Sequence, residues 1–270
     1  MASRRSASWF GREIANGHSR SFATTSKSRA PSDAAFTLLI AKGQDVFRES
    51  KTSKRFDAER ARMVEYDLRR RGIHDLKVLE AMSRIPRHDF VPPHLAHAAY
   101  EDCPLPIGSG QTISQPYIVA LMTQALHLKG GERVLELGTG SGYQTAVLAE
   151  VGAEVWTIER LAEHAEAAKQ RLQEFGNAQV HFQIGDGTLG WPSAAPFDRI
   201  LSTGGLPSVP DALIAQLCEG GLFVGPIGPL AAQQLMRIVY HARGAHSENL
   251  GGCRFVPMIG EFGWRDDPYR

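Results

Sequence analysis

Nine residues, Val134-Leu-Glu-Leu-Gly-Thr-Gly-Ser-Gly142, constrain this chain more than any other stretch. A short apolar run stops at a glycine, and two more glycines at alternate positions lead into Gln144 to Glu150, which reads as a helix. A strand that turns directly into a helix through glycines is the start of a βαβ unit, where the bare backbone can approach a ligand. The alternation continues downstream. Arg133 to Leu137, Glu154 to Ile158, Val180 to Ile184 and Arg199 to Ser202 read as strands. Leu161 to Phe175 is an amphipathic helix stopped by Gly176, and Asp211 to Leu217 is another helix. Leu222 to Val224 and Leu235 to Tyr240 add later strands. The pattern predicts an α/β fold with a doubly wound, mainly parallel sheet and helices on both faces, with ligands at the carboxyl ends of the strands.

Composition excludes several classes. The 270 residues are 43% apolar, enough for a sizeable core, and Lys plus Arg (30) nearly balance Asp plus Glu (29). A net charge of +1 offers no global field for nucleic acid or membrane, and no apolar run nears the roughly 18 residues that span a bilayer. Cys103, Cys218 and Cys253 are odd in number and far apart, which argues against a disulfide framework and fits a reducing, cytoplasmic setting. Residues 1–55 form a basic, Ser-rich extension, expected to be disordered; a transit peptide, a plain extension and a misassigned start all fit it. Residues 56–129 are expected to carry N-terminal helices and a lid loop, residues 130–264 the α/β core of the same domain, and residues 265–270 a tail. Asp57 is predicted to cap a helix bearing Met63, Val64 and Leu68 that Gly72 ends, with Arg69, Arg70 and Arg71 solvated in its last turn. Leu76 to Met82 is a second helix, halted by Pro86 and Pro92-Pro93. His88, His94 and His97 lack partners at ligand spacing and read as packing or surface residues, so no metal is expected.

The spacing of the glycines narrows the ligand. Gly138, Gly140 and Gly142 give G-x-G-x-G, whereas the dinucleotide pattern needs glycine where this chain has Tyr143. Glu159, at the end of the second core strand, can accept hydrogen bonds from both hydroxyls of a ribose. Asp186, after the third, can accept from an adenine amino group, and Glu136 can face a cationic amino-acid tail. A helix cap or a solvated turn remains open for each acid taken alone. S-adenosylmethionine carries ribose, adenine and a positive tail together.

Further along, Gln111-Thr-Ile-Ser-Gln-Pro-Tyr117, the glycine motif, Gly185-Asp-Gly187, Trp191-Pro192, Ala195-Pro-Phe-Asp198 and Arg254-Phe-Val-Pro257 together resemble the protein-L-isoaspartate O-methyltransferase family, from about Arg60 to Trp264. The resemblance implies a Rossmann-like methyltransferase sheet with an N-terminal helical and lid region. It also implies methyl transfer from S-adenosylmethionine to the α-carboxylate of L-isoaspartyl residues in damaged proteins and peptides. The resulting ester lets the adjacent backbone amide close a succinimide, which water opens partly to normal aspartate. On this resemblance Ser114 acts in catalysis and Thr112, Ser114, Thr203, Val256 and Pro257 hold the acceptor. Ile113, Tyr117, Glu136, Gly138, Gly140, Ser141, Gly142, Glu159, Arg160, Asp186 and Gly187 hold the cofactor. A monomer is expected, with no nucleic-acid or membrane partner.

The residues support that chemistry on their own terms. A carboxylate, with a pKa of about 3 to 4, is already an ionised nucleophile at neutral pH, so no strong general base is needed. Gly108 to Pro116 reads as a loop able to fold over the ligand, its Thr112 and Ser114 hydroxyls on one side of an extended segment. Alternatively, those hydroxyls cap a neighbouring helix. One departure from the family is Ser202-Thr-Gly-Gly-Leu-Pro207, where Thr-Ala-Ala is commoner; Gly204 and Gly205 are expected to loosen the loop or open space beside the acceptor. That leaves open another peptide carboxylate as acceptor. A nicotinamide oxidoreductase and a non-catalytic cofactor-binding protein stand as readings of other classes.

Overall fold

The computed structural model describes residues 51–176 and 180–265. The expectations for residues 1–50 and for the tail from 266 lie outside these. Helix α1 (Lys51–Arg62) widens into a π-helical turn, Met63–Leu68, then tightens into a 3-10 turn, Arg69–Arg71, before Gly72 ends it at φ 97°. Asp57 does not cap this helix. It lies inside it, bonded to Arg60 at 2.6 Å, because the helix starts earlier and packs Phe56 on His88 with ring centroids 4.0 Å apart. Met63, Val64 and Leu68 are buried as expected. Asp75 caps α2 (Leu76–Arg84), its carboxylate accepting from the Lys77 N–H at 2.9 Å. Two 3-10 turns, Arg87–Phe90 and Pro93–Ala98, follow the prolines.

A hairpin of β1 (Leu105–Gly108) and β2 (Gln111–Ile113) then leads into α3 (Pro116–Ala125). The core follows: β3 (Arg133–Leu137), α4 (Tyr143–Glu150), β4 (Glu154–Glu159), α5 (Ala162–Glu174) and β5 (Val180–Ile184). After these come β6 (Phe197–Ser202), α6 (Asp211–Ile214), β7 (Leu217–Ile227), β8 (Gln233–His241) and β9 (Gly244–Cys253). The sheet order is β5-β4-β3-β6-β7-β8-β9, parallel from β5 to β7 and antiparallel beyond. Alternate side chains feed opposite faces. Val134, Val155, Leu201 and Val224 share one core with residues of the first five helices, while Leu135, Trp156, Ile200 and Phe223 share another with Leu213 of α6 and residues around Trp191.

Three differences from expectation have physical causes. The helix at Asp211 stops at Ile214, because Leu217 is drawn into the sheet opposite Phe197. The strand expected at Leu222 to Val224 therefore begins at Leu217, with an irregular register around Gly220-Gly221. Strand β9 carries almost no apolar alternation, since it is an exposed edge held by β8 alone. Among the described residues no helix is long and apolar enough to cross a membrane.

Candidate active site

Strand order reverses between β3 and β6, so the loops after these strands part and leave a crevice. Gly138, Gly140 and Gly142 take φ values of 91°, 53° and 85°, a region that side chains disfavour. A Cβ on Gly138 would sit 2.5 Å from the Thr203 hydroxyl, which belongs to the neighbouring loop and donates to the carbonyl of Leu137 or Gly138. Glu159 ends β4 facing the turn. One of its oxygens accepts from the Gly140 N–H and the other from the Leu161 N–H, both at 2.9 Å. Each oxygen keeps a lone pair for a ligand hydroxyl.

One cleft brings together Thr112, Ile113, Ser114, Gly138, Gly140, Ser141, Glu159, Arg160, Gly187, Thr203, Val256 and Pro257. Four other residues expected at the cofactor are not on its wall. Gly142 lies behind the turn, where a Cβ would press on Ala168 of α5 at 3.1 Å. Tyr117 is held by its N–H on Asp102 at 3.0 Å and by the Arg71 guanidinium 3.9 Å over its ring, so it anchors the lid. Asp186 is a cap, the alternative left open above: one oxygen accepts from the Thr188 N–H and hydroxyl at 2.8 and 2.7 Å, the other from the Glu261 N–H at 2.7 Å. Glu136 is buried in β3, one oxygen accepting from the Thr145 and Thr157 hydroxyls at 2.6 and 2.7 Å. Its other oxygen has no partner among the described residues, and burial pushes the carboxyl up to about 7.

The expected lid loop is a hairpin. Ser109 and Gly110 turn it with φ values of 50° and 72°, the signs required by a tight two-residue connection, and the Ser109 hydroxyl donates to Glu163 on α5. Beneath the lid, Asp102 gathers Arg71, the Gln115 amide and the Tyr117 N–H. Thus Arg69 and Arg70 pair with Glu65 near the surface, but Arg71 is structural rather than simply solvated. Arg87 is fully buried and donates to the carbonyls of Ala99 and Ser114 at 2.8 and 2.7 Å; desolvation lowers its guanidinium to about 10. The Thr112 and Ser114 side-chain hydroxyls bond to nothing among the described residues and are not helix caps. Arg87 and Asp102 carry no local pattern that would have marked them in the sequence.

Gly204 and Gly205 do not loosen their loop. The Gly205 N–H donates to Val256 at 2.8 Å and its carbonyl accepts from Met258 at 2.9 Å, a bridge that zips the loop to the C-terminal segment. The space a side chain would need is filled: a Cβ on Gly204 would lie 2.9 Å from the Met258 methyl, and one on Gly205 would collide with the Gln233 amide. The reason for considering a different acceptor falls with the expected looseness.

A model of the protein-L-isoaspartate(D-aspartate) O-methyltransferase family matches residues 58–263. The chain belongs to this family. It is 54% identical over 213 residues to the protein-L-isoaspartate O-methyltransferase of Syntrophus aciditrophicus, covering 78% of this chain and 98% of the relative. It is likewise 54% identical over 209 residues to a Syntrophobacter fumaroxidans enzyme of that name, covering 77% and 98%. A solved protein-L-isoaspartate O-methyltransferase superposes with a TM-score of 0.69 at 31% identity, covering 76% of this chain and 67% of that one. The methyltransferase cleft suits S-adenosylmethionine by its donor set. The glycine turn admits close approach, and the Glu159 carboxylate retains acceptor capacity for a ribose.

Proposed function

We propose that this protein transfers the methyl group of S-adenosylmethionine to the α-carboxylate of L-isoaspartyl residues in damaged proteins and peptides, starting their repair through a succinimide. The observation that carries this reading is a pair of hydroxyls, on Thr112 and Ser114, that share one cleft with the glycine turn, Glu159 and Val256-Pro257. The sulfonium supplies an electrophilic methyl and a neutral leaving thioether. Everything else falls to the chain. Ser114 and Thr112 donate to the acceptor carboxylate and orient the attacking oxygen, with Ser114 as hydrogen-bonding positioner rather than covalent nucleophile. Thr203, Val256 and Pro257 flank the acceptor peptide. Gly138, Gly140 and Ser141 of the turn, with Ile113 and Arg160, enclose the cofactor, and Glu159 takes its ribose. Asp186 acts on the adenine side by bracing Gly187 through its cap, and Tyr117 acts through the lid. The hairpin excludes water. Alignment of this kind supplies up to roughly 7 to 11 kcal/mol of barrier lowering, so proton transfer need contribute little.

The protein is further inferred to act as a cytoplasmic monomer without a nucleic-acid or membrane partner; its near-zero net charge and three free cysteines support this setting. Incubation with labelled S-adenosylmethionine and matched Asp and isoAsp peptides tests the function. Label is expected on the isoAsp peptide alone, and equal or absent labelling of the two rejects the assignment.

A further inference from the structure

The acceptor wall, Val256-Pro257, follows the edge strand β9 and belongs to no strand of the sheet, yet it must keep one position for the carboxylate to meet the methyl group in line. Its backbone is held at two neighbouring points. One is the Gly205 bridge. The other is Gln233, the first residue of β8 and 1% exposed. Its side-chain oxygen accepts from the Phe255 N–H at 2.6 Å, and its amide nitrogen donates to the Phe255 carbonyl at 3.2 Å. A side-chain amide thus pairs with both backbone groups of one residue, as a neighbouring strand would. It can reach that place only because residue 205 has no Cβ.

We propose that Gln233, admitted by the bare Cα of Gly205, is a positioning residue for the acceptor, setting affinity for the isoaspartyl peptide without acting on the cofactor. The proposal rests on the acceptor role given above to Val256 and Pro257. Gln233 touches neither reactant; it acts through Phe255 on the wall next to it. An amide buried this far would cost free energy if left unpaired, so its two bonds hold the segment in one register. The Thr203 loop is locked to the same segment through Gly205, so both sides of the acceptor site move together or not at all.

Three single variants, one double variant with its Gln233→Ala parent, and two readouts test this. Gln233→Leu keeps the volume and removes both bonds. Gln233→Glu keeps the acceptor for the Phe255 N–H and sets an oxygen against the Phe255 carbonyl. Gly205→Ala evicts the amide. Each is expected to raise KM for an isoAsp peptide about five- to tenfold, and to weaken equilibrium binding of that peptide to enzyme saturated with S-adenosylhomocysteine by the same factor. The Kd of S-adenosylhomocysteine itself should change less than twofold by calorimetry. Gly205→Ala should add little in a Gln233→Ala background, where the methyl group enters vacated space. Unchanged peptide affinity in the folded variants, a parallel loss of cofactor affinity, or additive effects of the two positions would overturn the proposal. Should Gln233→Leu fail to fold, Gly205→Ala and Gln233→Glu decide the question by the same two readouts. Wild-type enzyme that ignores the Asp/isoAsp difference would instead bring down the functional reading beneath it, whatever the variants do.

Discussion

The two walls of the cleft are built by different means. The wall proposed for the methyl donor comes from adjoining loops at the ends of β3 and β4, with glycine conformations and a carboxylate bonded to two N–H groups. The wall proposed for the acceptor is assembled from the β2 segment, the loop after β6 and the stretch after β9, which are far apart in the chain. Side chains reaching backbone groups anchor these segments, Arg87 and Asp102 the first and Gln233 the third, and the Gly205 backbone bridge ties the second to the third. Local backbone geometry shapes the glycine turn of the first wall, and hydrogen bonds between distant segments shape most of the second.

Substitutions can break this division, beginning with the largest effect. Gly138→Ala forces a side chain to φ 91° and sets its methyl 2.5 Å from the Thr203 hydroxyl. With strain of this kind costing about 1 to 3 kcal/mol, S-adenosylhomocysteine affinity should fall about 100-fold by calorimetry. Retained affinity would mean that the donor wall is not defined by its backbone. Ser114→Ala removes a donor to a charged acceptor, worth about 1.5 to 3 kcal/mol, and should lower kcat/KM for an isoAsp peptide about 10- to 100-fold. Cofactor affinity should stay within twofold; equal loss of both would merge the two walls into one unit.

A smaller effect is expected from Glu136, whose folded-state pKa of about 7 lies above its ordinary value. Below the ordinary carboxylate range both folded and unfolded chains hold the proton, and the contribution to stability is complete. As pH climbs, the unfolded chain releases its proton first, so this contribution is lost up to and through pH 7. Thermal unfolding from pH 5 to 8 should therefore show wild type losing about 1 to 2 kcal/mol relative to Glu136→Gln. Parallel pH profiles would show that the buried carboxyl is not protonated in the fold. The smallest change is Asp102→Asn, which weakens the Arg71 tie and should raise peptide KM about fivefold, a loss of about 1 kcal/mol, with cofactor affinity unaffected.

The same division decides what could be read in the sequence. Arg133–Leu137 and Val180–Ile184 are legible to the residue, the first as a short buried apolar run and the second as an edge strand whose Val180, Phe182 and Ile184 alternate with polar residues. The glycines and Glu159 were legible because their spacing along one stretch of chain carries their geometry. Tyr117 and Asp186 lie at the loops the sequence indicates, but whether each side chain points into a cleft or braces a turn depends on partners far away, Arg71 in one case and Glu261 in the other. Strand β9 was invisible, as an exposed edge needs little apolar patterning. Gly204-Gly205 read as slack because a missing side chain looks like freedom until the Gln233 amide is seen in its place.

The segment bearing Val256 and Pro257 follows every strand of the sheet. During translation, all seven strands are therefore synthesised before the strap that completes the cleft. A nascent chain can lay down its glycine turn early, yet the cleft stays open on one side until the strap threads back beside Gly205 and Glu261 reaches Asp186.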